Sequence, residues 1–503
     1  MATIDGNKKK LTVSGEAIES AVNSKHEHSN SAVLDKLSDN NGTLQYNGAD
    51  ITGGNASEIT ASKVKMADNT TVEDTVSSLK EDLVNKASKE TVTNIANNID
   101  TINNNISNLD ETKANKNEIA NGLNAKSYGL DESKTPEENT RILQNLINYV
   151  YNNGGGIIYI PNGDYHFCIS DTTNYYSILL KPNVSIIGEN KYKTKLIMDN
   201  GDTPYTFMWR NTGADTPLEN AHFEKFSVIG TALTEWHVRA KAFFAQYVKH
   251  CVFKDLYLEG TPATALGIDF LDDVTIDHIT CKDCGHLWTK GRTGSAGIGI
   301  GTGGYQDENF IITNNVCVGC GQYGIFVESQ KLVFQNGDYP DAKGMIIANN
   351  IIRDGLNHGI GNRGVVGLNI SNNLVYGNVG AGIFNEGGID TNISNNNIWG
   401  NKDGIYLLGD DLCGICDTFN IVGNTIKNNS EYGIMLTNTN STTPNESVSI
   451  FSNIIKNNTR NGLRIHGTLN NIIVKGNANY DGVGNDATIT GVNDIEAKAV
   501  ASV

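Results

Sequence analysis

The chain has 503 residues, which is enough for two or three domains. Charged residues make up 19% of it and the formal net charge is −17, which argues against a nucleic-acid partner. No run of eighteen apolar residues occurs, so we expect no membrane insertion. The polar segment Met1 to Lys10 lacks the apolar core of a signal peptide, so we expect synthesis in a cytoplasm without export by the usual secretory route.

The first segment, residues 1–65, contains the stretch HEHSNSAVLDKLSDNNGTLQYNGADI. It resembles segments near the start of tail and baseplate proteins of phages that infect Gram-positive bacteria, which implies a virion-attachment segment with other tail proteins as partners. His26 and His28 flank a single residue and point the same way if the chain is extended. Three such pairs on a threefold axis would offer six imidazoles to one octahedral metal ion. Solvated surface histidines are the alternative, and no cofactor is expected to be required.

Residues 66–125 carry a heptad pattern of apolar residues. The seam comprises Val72, Val76, Leu79, Leu83, Val92, Ile95, Ile99, Ile102, Ile106 and Leu109. Isoleucine at both core positions in its second half favours three or four strands over two. We therefore expect a trimeric coiled coil and a homotrimeric protein, with a lone amphipathic helix as the alternative.

Residues 126–200 predict a helix followed by the first strands. Thr135 and Glu138 form a capping box, and Pro136 suits the first helical position. The glycines at 154–156 end the helix. This order is similar to the entry segment of the pectate-lyase-like superfamily, in which a helix covers the open end of a β-helix. That superfamily usually shows Gly-Asp-Gly before the helix, whereas this chain has Leu-Asp-Glu-Ser at 130–133.

Residues 201–475 contain a repeated Gly-Ile or Gly-Leu marker with an Asn nine residues upstream. The markers begin at Gly324, Gly359, Gly382, Gly404, Gly433 and Gly462. Their partners are Asn315, Asn350, Asn373, Asn395, Asn424 and Asn453, and Gly267 and Gly297 continue the series without the Asn. A fixed motif with spacers of varying length is typical of a stacked-coil solenoid, and the Val- and Ile-rich repeats indicate strands. We predict an all-β, right-handed parallel β-helix, followed by a C-terminal segment at 476–503.

Six of the eight cysteines form three C-x-x-C pairs, namely Cys281/Cys284, Cys317/Cys320 and Cys413/Cys416. Such pairs are compatible with a zinc site. The repeats instead align Cys317 with an apolar column of Ile352, Val375, Ile426 and Ile455. Buried free cysteine behaves as a small hydrophobic residue, which favours a stack of core cysteines over a metal site.

Equivalent positions in stacked coils form surface columns. The positions four residues after the marker glycines are Leu271, Gly301, Glu328, Arg363, Glu386, Leu408, Thr437 and His466. Glu328 and Glu386 would lie two coils apart, roughly 9.5 Å between backbones, which is near the upper carboxylate separation of inverting glycosidases. Arg363 between them would hold both ionised in the resting site or bind an acidic sugar, and His358 adds a possible proton carrier. Strand alternation places Glu328 outward, and the alternative is a solvated salt-bridge ladder.

Further candidates flank this column. Asp390 and Asp410 lie just beyond neighbouring strands on the same side and could bind substrate or complete a second acidic cluster. Trp236 and Arg239 in TEWHVR combine an aromatic ring with charge, which suits sugar stacking, although core packing of the Trp is the alternative. The glycine-rich SAGIGIGTGG lies inside a repeat and lacks the Lys of a phosphate loop, so we reject a phosphate site there.

The order of attachment segment, coiled coil, capped β-helix and small C-terminal piece resembles a phage tail spike. The resemblance implies a homotrimer on the virion tail, assembled in the host cytoplasm, that binds host cell-surface polysaccharide or teichoic acid and depolymerises it by hydrolysis or lyase cleavage. Inverting hydrolysis by Glu328 and Glu386 is the concrete expectation. A receptor-binding adhesin without chemistry and a structural tail fibre are the alternatives.

Overall fold

The computed structural model divides the chain into two compact units, residues 1–115 and 116–503. It describes residues 37–40, 43–46 and 49–50, a few positions between 71 and 78, and then residues 122–198, 205–209, 214–230, 240–287, 295–330, 344–440 and 442–496. Within these residues, the helices are too short or too polar to cross a membrane.

In the first unit, three short strands form an antiparallel sheet in the order β1-β2-β3. They are β1 (Leu37–Asn40), β2 (Thr43–Tyr46) and β3 (Ala49–Asp50). The predicted histidine pair, His26 and His28, lies outside the described residues, as does the predicted heptad seam at its apolar positions.

The second unit opens with β4 (Leu123–Asn124), a 3-10 helix at Ala125–Tyr128, and α1 (Pro136–Asn152). The capping box is confirmed, because Glu138 N–H donates to Thr135 Oγ1 at 3.3 Å and the Glu138 carboxylate accepts from Thr135 N–H at 3.1 Å. The buried face of α1 carries Leu143, Leu146, Ile147 and Val150. Since α1 packs against the first strands of the unit, the helix covers the apolar end of the stack, as its sequence predicts.

The remaining described strands follow in chain order. The first group comprises β5 (Gly156–Ile160), β6 (Gly163–Phe167), β7 (Tyr176–Leu179), β8 (Val184–Gly188), β9 (Thr194–Met198), β10 (Tyr205–Trp209), β11 (Leu218–Glu219), β12 (His222–Glu224), β13 (Ser227–Ile229), β14 (Phe243–Lys254), β15 (Tyr257–Glu259), β16 (Leu266–Asp277) and β17 (Thr280–Lys282). The second comprises β18 (Ala296–Thr302), β19 (Phe310–Thr313), β20 (Val316–Val318), β21 (Tyr323–Ser329), β22 (Met345–Ala348), β23 (Ile351–Arg353), β24 (His358–Arg363), β25 (Leu368–Ser371), β26 (Leu374–Tyr376), β27 (Ile383–Glu386), β28 (Gly388–Ser394) and β29 (Asn397–Trp399). The third comprises β30 (Ile405–Gly409), β31 (Cys416–Val422), β32 (Thr425–Lys427), β33 (Ile434–Asn438), β34 (Asn445–Phe451), β35 (Ile454–Lys456), β36 (Leu463–His466), β37 (Thr468–Lys475), β38 (Ala478–Asn479), β39 (Val483–Asn485) and β40 (Thr488–Ile495).

Each coil of the stack contributes strands to three faces. In the coil made by β21, β22 and β23, these strands pair in parallel with β24, β25 and β26 of the next coil. We call the faces that contain β21, β22 and β23 the first, second and third face. Parallel pairing continues past the predicted boundary at residue 475, because β37 pairs with β40 and β35 pairs with β38.

The interior of the stack is filled by columns of apolar side chains. On the first face it contains Ile325, Ile360, Ile383, Ile405, Ile434 and Leu463, all 1% exposed or less. On the third face, Cys281 pairs with Cys317 and Cys317 pairs with Ile352, so the cysteines stack in the predicted core column. The cysteines of all three C-x-x-C pairs are buried and free.

A ladder of asparagines joins the coils at one turn. Each amide oxygen accepts from the backbone N–H and side-chain N–H of the ladder residue one coil earlier, as Asn373 Oδ1 does from Asn350 at 2.9 and 3.0 Å. The marker asparagines thus belong to this ladder, with one correction. Asn396, not Asn395, continues the ladder after Asn373, because Asn395 adopts a positive φ of 57° in the turn.

Candidate functional site

The first face carries the predicted outward column. Gly301, Glu328, Arg363 and Glu386 pair in register on consecutive coils. Glu328 is half-buried beside the fully buried Val327, and the same alternation holds at the other two charged positions. Their side chains therefore point outward, as strand alternation predicts.

The upstream end of the column differs from its prediction. Asp269, not Leu271, pairs with Gly301, and Leu271 is fully buried. The reason is that β18 contains Gly-Ile twice, and its second glycine, Gly299, is the one that pairs with Gly267. The expected position of Leu271 was thus wrong by two residues, and a carboxylate occupies the column instead.

The Asp269 carboxylate lies over Gly301, which has no side chain. A Cβ atom at Gly301 would lie 2.4 Å from Asp269 Oδ1 and 2.3 Å from Gln330 Nε2, so a side chain there would displace the ends of both neighbouring side chains. Gln246 Nε2 donates to Asp269 Oδ2 at 3.1 Å. Burial raises the pKa of Asp269, whereas the charge of Lys241 and the hydrogen bond from Gln246 oppose that rise.

Glu328 holds its proton near neutral pH. Burial raises the pKa of its carboxyl to about 7, and the negative charge of Asp269 adds to the rise while Arg363 opposes it. The expectation that Arg363 would keep both glutamates ionised is therefore wrong for Glu328. Asp269 and Glu328 lie two coils apart, and Glu328, which is about half protonated at pH 7, can serve as a general acid beside a second carboxyl.

Glu386 lies in an ion pair on the other side of Arg363. Arg363 Nε is 3.1 Å from Glu386 Oε2 and 3.1 Å from Cys413 Sγ. Burial raises the pKa of Glu386, Arg363 opposes this, and the charge of Asp410 adds to it. This half of the column matches the salt-bridge alternative, because the Glu386 carboxylate already has a cationic partner.

Glu386, Asp410 and Cys413 also place one ligand atom each within 4.8 Å of one another. A cation there would have to compete with Arg363, which donates to Glu386 and Cys413. Burial raises the pKa of the Cys413 thiol to about 12, so the thiolate form that binds metals is disfavoured. The donor set therefore fits a metal ion poorly.

Stacked aromatic rings border the acidic column on the same face. Tyr323 stacks on Phe326 with centroids 4.2 Å apart, and His358 stacks on Phe384 at 4.3 Å. Tyr323 and His358 rings are 5.5 Å apart, which joins the two pairs. Tyr406 breaks the parallel order, because its ring is tilted by 64° from that of Phe384. The rings form an apolar cluster outside the interior of the stack, next to the charged residues.

His358 is held neutral within this cluster. Its Nδ1 accepts the backbone N–H of Ala381 at 3.0 Å, which places the proton of the neutral ring on Nε2. Burial lowers the pKa of His358 to about 4, and the charge of Lys402 adds to this. Its geometry favours a positioning role or hydrogen-bond donation through Nε2 over proton transfer.

The other predicted site residues separate into three cases. Asp410 lies beside Glu386, as described above. Asp390 is exposed within β28 at a positive φ of 52°, and no hydrogen bond or ion pair in the described residues joins it to the column. Trp236 and Arg239 lie outside the described residues.

Glu308 is a buried carboxylate that the sequence analysis missed. Its Oε1 accepts from the backbone N–H groups of Gly303, Gly304 and Tyr305 at 2.9, 2.8 and 3.2 Å. Burial raises its pKa to about 7, and the charge of Asp269 adds to the rise. The glycine-rich stretch that resembled a phosphate loop thus does form an anion-binding turn, which the protein's own carboxylate fills.

Parallel coils with three faces, an apolar interior and asparagine ladders define the class of parallel β-helix proteins. A family model described as "Right handed beta helix region" matches residues 219–389 and 338–479, together more than half of the chain. The chain belongs to this family, which confirms the predicted pectate-lyase-like fold. No curated protein matches the sequence.

Solved structures share this fold at low sequence identity. The catalytic unit of a GH87 α-1,3-glucanase from Streptomyces thermodiastaticus is 15% identical, with a TM-score of 0.56 over 74% of this chain and 68% of that one. PfbA, a surface adhesin of Streptococcus pneumoniae, is 15% identical, with a TM-score of 0.52 over 74% and 91%. A tailspike protein mutant of E. coli bacteriophage HK620, solved with a pentasaccharide, is 13% identical, with a TM-score of 0.49 over 76% and 77%. These similarities concern the fold alone.

Proposed function

We propose that this protein is a tail-spike-type depolymerase that binds a host cell-surface polysaccharide and hydrolyses it. The observation that carries the proposal is the acid pair Asp269 and Glu328, placed on either side of the side-chain-free Gly301 in one outward column. A glucanase and a surface adhesin among the structures that share the fold support a carbohydrate ligand.

The geometry suits an inverting reaction. Two coils separate the backbones of Asp269 and Glu328, roughly 9.5 Å, and inverting glycosidases use carboxyl separations of roughly 6.5 to 9.5 Å. Because its pKa is about 7, Glu328 is the general acid that protonates the departing glycosidic oxygen. Asp269 is the base that takes a proton from the attacking water. Burial raises its pKa, which increases its proton affinity, while the charge of Lys241 and the hydrogen bond from Gln246 favour its ionised form.

This assignment retains Glu328 of the predicted catalytic pair and replaces Glu386 with Asp269. Glu386 is bound to Arg363 at 3.1 Å, so we give these two residues a role in binding or positioning the substrate. Asp410 lies with them and shares that role. His358 stacks with Tyr323 and Phe384 at the border of the same surface, and we give it the role of positioning these rings.

The biological setting is part of the proposal. The N-terminal segment would attach the protein to other virion tail proteins, and the heptad seam would assemble a homotrimer on the tail. Trp236 and Arg239 remain proposed substrate contacts, and His26 with His28 a proposed axial metal site.

A binding-only adhesin is the second candidate. The Arg363–Glu386 ion pair favours it, since this pair neutralises one of the three acids in the column. An adhesin would hold the same glycan without cleaving it.

The test is incubation of the purified full chain with isolated host cell-surface glycan, during which chain length, new reducing ends and ultraviolet-absorbing unsaturated ends are followed. The proposal predicts shorter chains with new reducing ends and without unsaturation. Unsaturated ends would replace hydrolysis by lyase chemistry, and tight binding with unchanged chain length would leave the adhesin.

A further inference from the structure

Between β23 and β35, the third face presents two outward columns that carry cations and no carboxylates. One contains Ile351, Leu374, Asn397, Thr425 and Ile454, and the other contains Arg353, Tyr376, Trp399, Lys427 and Lys456. All ten positions are described by the structure, and none carries a carboxylate while three carry a cation. In a chain with a net charge of −17, these two columns carry a local excess of positive charge.

The rings of Tyr376 and Trp399 occupy the centre of the second column. Tyr376 and Trp399 stack with centroids 4.4 Å apart and ring planes within 5° of parallel. Lys427 Nζ lies 5.9 Å from the Trp399 centroid, so its aliphatic stem follows the ring while its charge stays at the surface. Both aromatic side chains are half-buried, and their indole N–H and phenol O–H add hydrogen-bond donors to the column.

The cations at the downstream end lack anionic partners. Arg353 pairs with the neighbouring Asp354, but neither Lys427 nor Lys456 forms an ion pair with any carboxylate among the described residues. The two lysines lie in register on adjacent coils, about 4.8 Å apart at the backbone, and so repel each other. An anion bound between them would relieve that repulsion.

We propose that the column of Arg353, Tyr376, Trp399, Lys427 and Lys456, here called the cationic column, binds an acidic polysaccharide whose sugar rings carry carboxylates. The five positions span four coil steps, about 19 Å, along one straight line, so a linear polyanion meets successive donors. The neighbouring Asn397 and Thr425 side chains suit sugar hydroxyls.

This site lies on a different face from Asp269 and Glu328 and involves neither residue. Its occupation would hold the polymer without cleavage, and the proposal of this site does not depend on the proposed hydrolysis.

The test measures binding of the full chain to polygalacturonate, with dextran as the neutral polymer and poly(glycerol phosphate) as an anionic polymer without sugar rings. The double variant Lys427→Gln/Lys456→Gln is expected to bind polygalacturonate about three- to tenfold more weakly, with a smaller salt dependence. The matched control, Lys193→Gln/Lys225→Gln, removes two exposed lysines elsewhere and is expected to bind as the parent does.

Four results would overturn the proposal. They are absence of polygalacturonate binding by the parent chain, equal affinity of the double variant and the control, dextran binding as tight as that of polygalacturonate, and equal affinity for poly(glycerol phosphate). A change in oligomeric mass of the double variant at unchanged glycan affinity would assign the face to protein–protein contact instead.

Discussion

Asp269 and Glu328 flank Gly301 in one outward column, and the Asp269 carboxylate fills the space that a side chain at residue 301 would need. The glycine thus gives the Asp269 carboxylate room to lie over the backbone between the two acids. Burial raises the pKa of both acids and is the largest influence on each. At Asp269 the charge of Lys241 and the hydrogen bond from Gln246 oppose this rise, whereas at Glu328 the charge of Asp269 adds to it, and on this difference we assign the two carboxyls different roles.

The rate of glycan cleavage should fall as the pH rises above about 7. Glu328 must carry a proton to act as the general acid, and its pKa of about 7 means that the protonated fraction declines above that pH. The measurement is kcat/KM between pH 5 and pH 9. A rate that keeps rising through pH 8 would contradict the assignment of Glu328 as the acid.

Glu328→Gln should stabilise the fold at high pH. The pKa of Glu328 is raised from 4.5 to about 7 in the folded chain, so protonation favours folding. Its contribution is complete below about pH 4.5 and is lost as the pH rises through 7. Because glutamine is a neutral isostere, the Tm of the variant should match the parent at pH 4.5 and exceed it at pH 8. A Tm lower than that of the parent at pH 8 would show that the carboxylate is well stabilised in its ionised form.

Gly301→Ala should reduce cleavage about tenfold or more while the protein stays folded. The added Cβ would lie 2.4 Å from Asp269 Oδ1, so the carboxylate must move, and small displacements of catalytic groups are costly. The measurement is kcat together with Tm. Gly299→Ala, on the same strand with its nearest neighbour at 3.1 Å, is the control and should change kcat little. Equal activities of the two variants would argue against Asp269.

Asn373→Ala should lower the free energy of unfolding by about 2 to 4 kcal/mol. The side chain accepts two hydrogen bonds from Asn350 and donates to the Ile347 carbonyl and to Asn396 Oδ1, all in the buried interior, and its loss removes these four hydrogen bonds. Denaturant unfolding measures the change. Asn420→Ala removes one exposed amide contact to Asn392 and should cost less than 1 kcal/mol. Similar losses in both variants would show that the ladder adds no specific stability.

The repeated Gly-Ile and Asn markers were sufficient to predict the fold, because a β-helix places each inward residue and each turn residue in a column. The predicted register was wrong at two places. Gly297 and Gly299 both precede Ile, and the second of them pairs with Gly267. The segment from the ladder residue Asn396 to Gly404 is one residue shorter than its counterparts, so the fixed spacing of nine residues selected Asn395 instead.

Because of the doubled Gly-Ile motif in β18, Asp269 was not included in the predicted site. The pKa values could not be predicted either, because the burial of Glu328 and the pairing of Arg363 with Glu386 depend on loops and side-chain packing that the repeat pattern does not specify. The column of Glu328, Arg363 and Glu386 was nevertheless predicted correctly from the marker spacing.

The most direct test of the central claim compares Glu328→Gln, Asp269→Asn and Glu386→Gln in the release of new reducing ends from the same glycan. If Glu328 and Asp269 are the acid and base, each of their variants should lose about 100-fold or more in kcat, and Glu386→Gln should lose less, mainly through KM. Glu446→Gln, away from the column, should behave as the parent. Full activity of Asp269→Asn together with an inactive Glu386→Gln would contradict the account and restore the pair of Glu328 and Glu386.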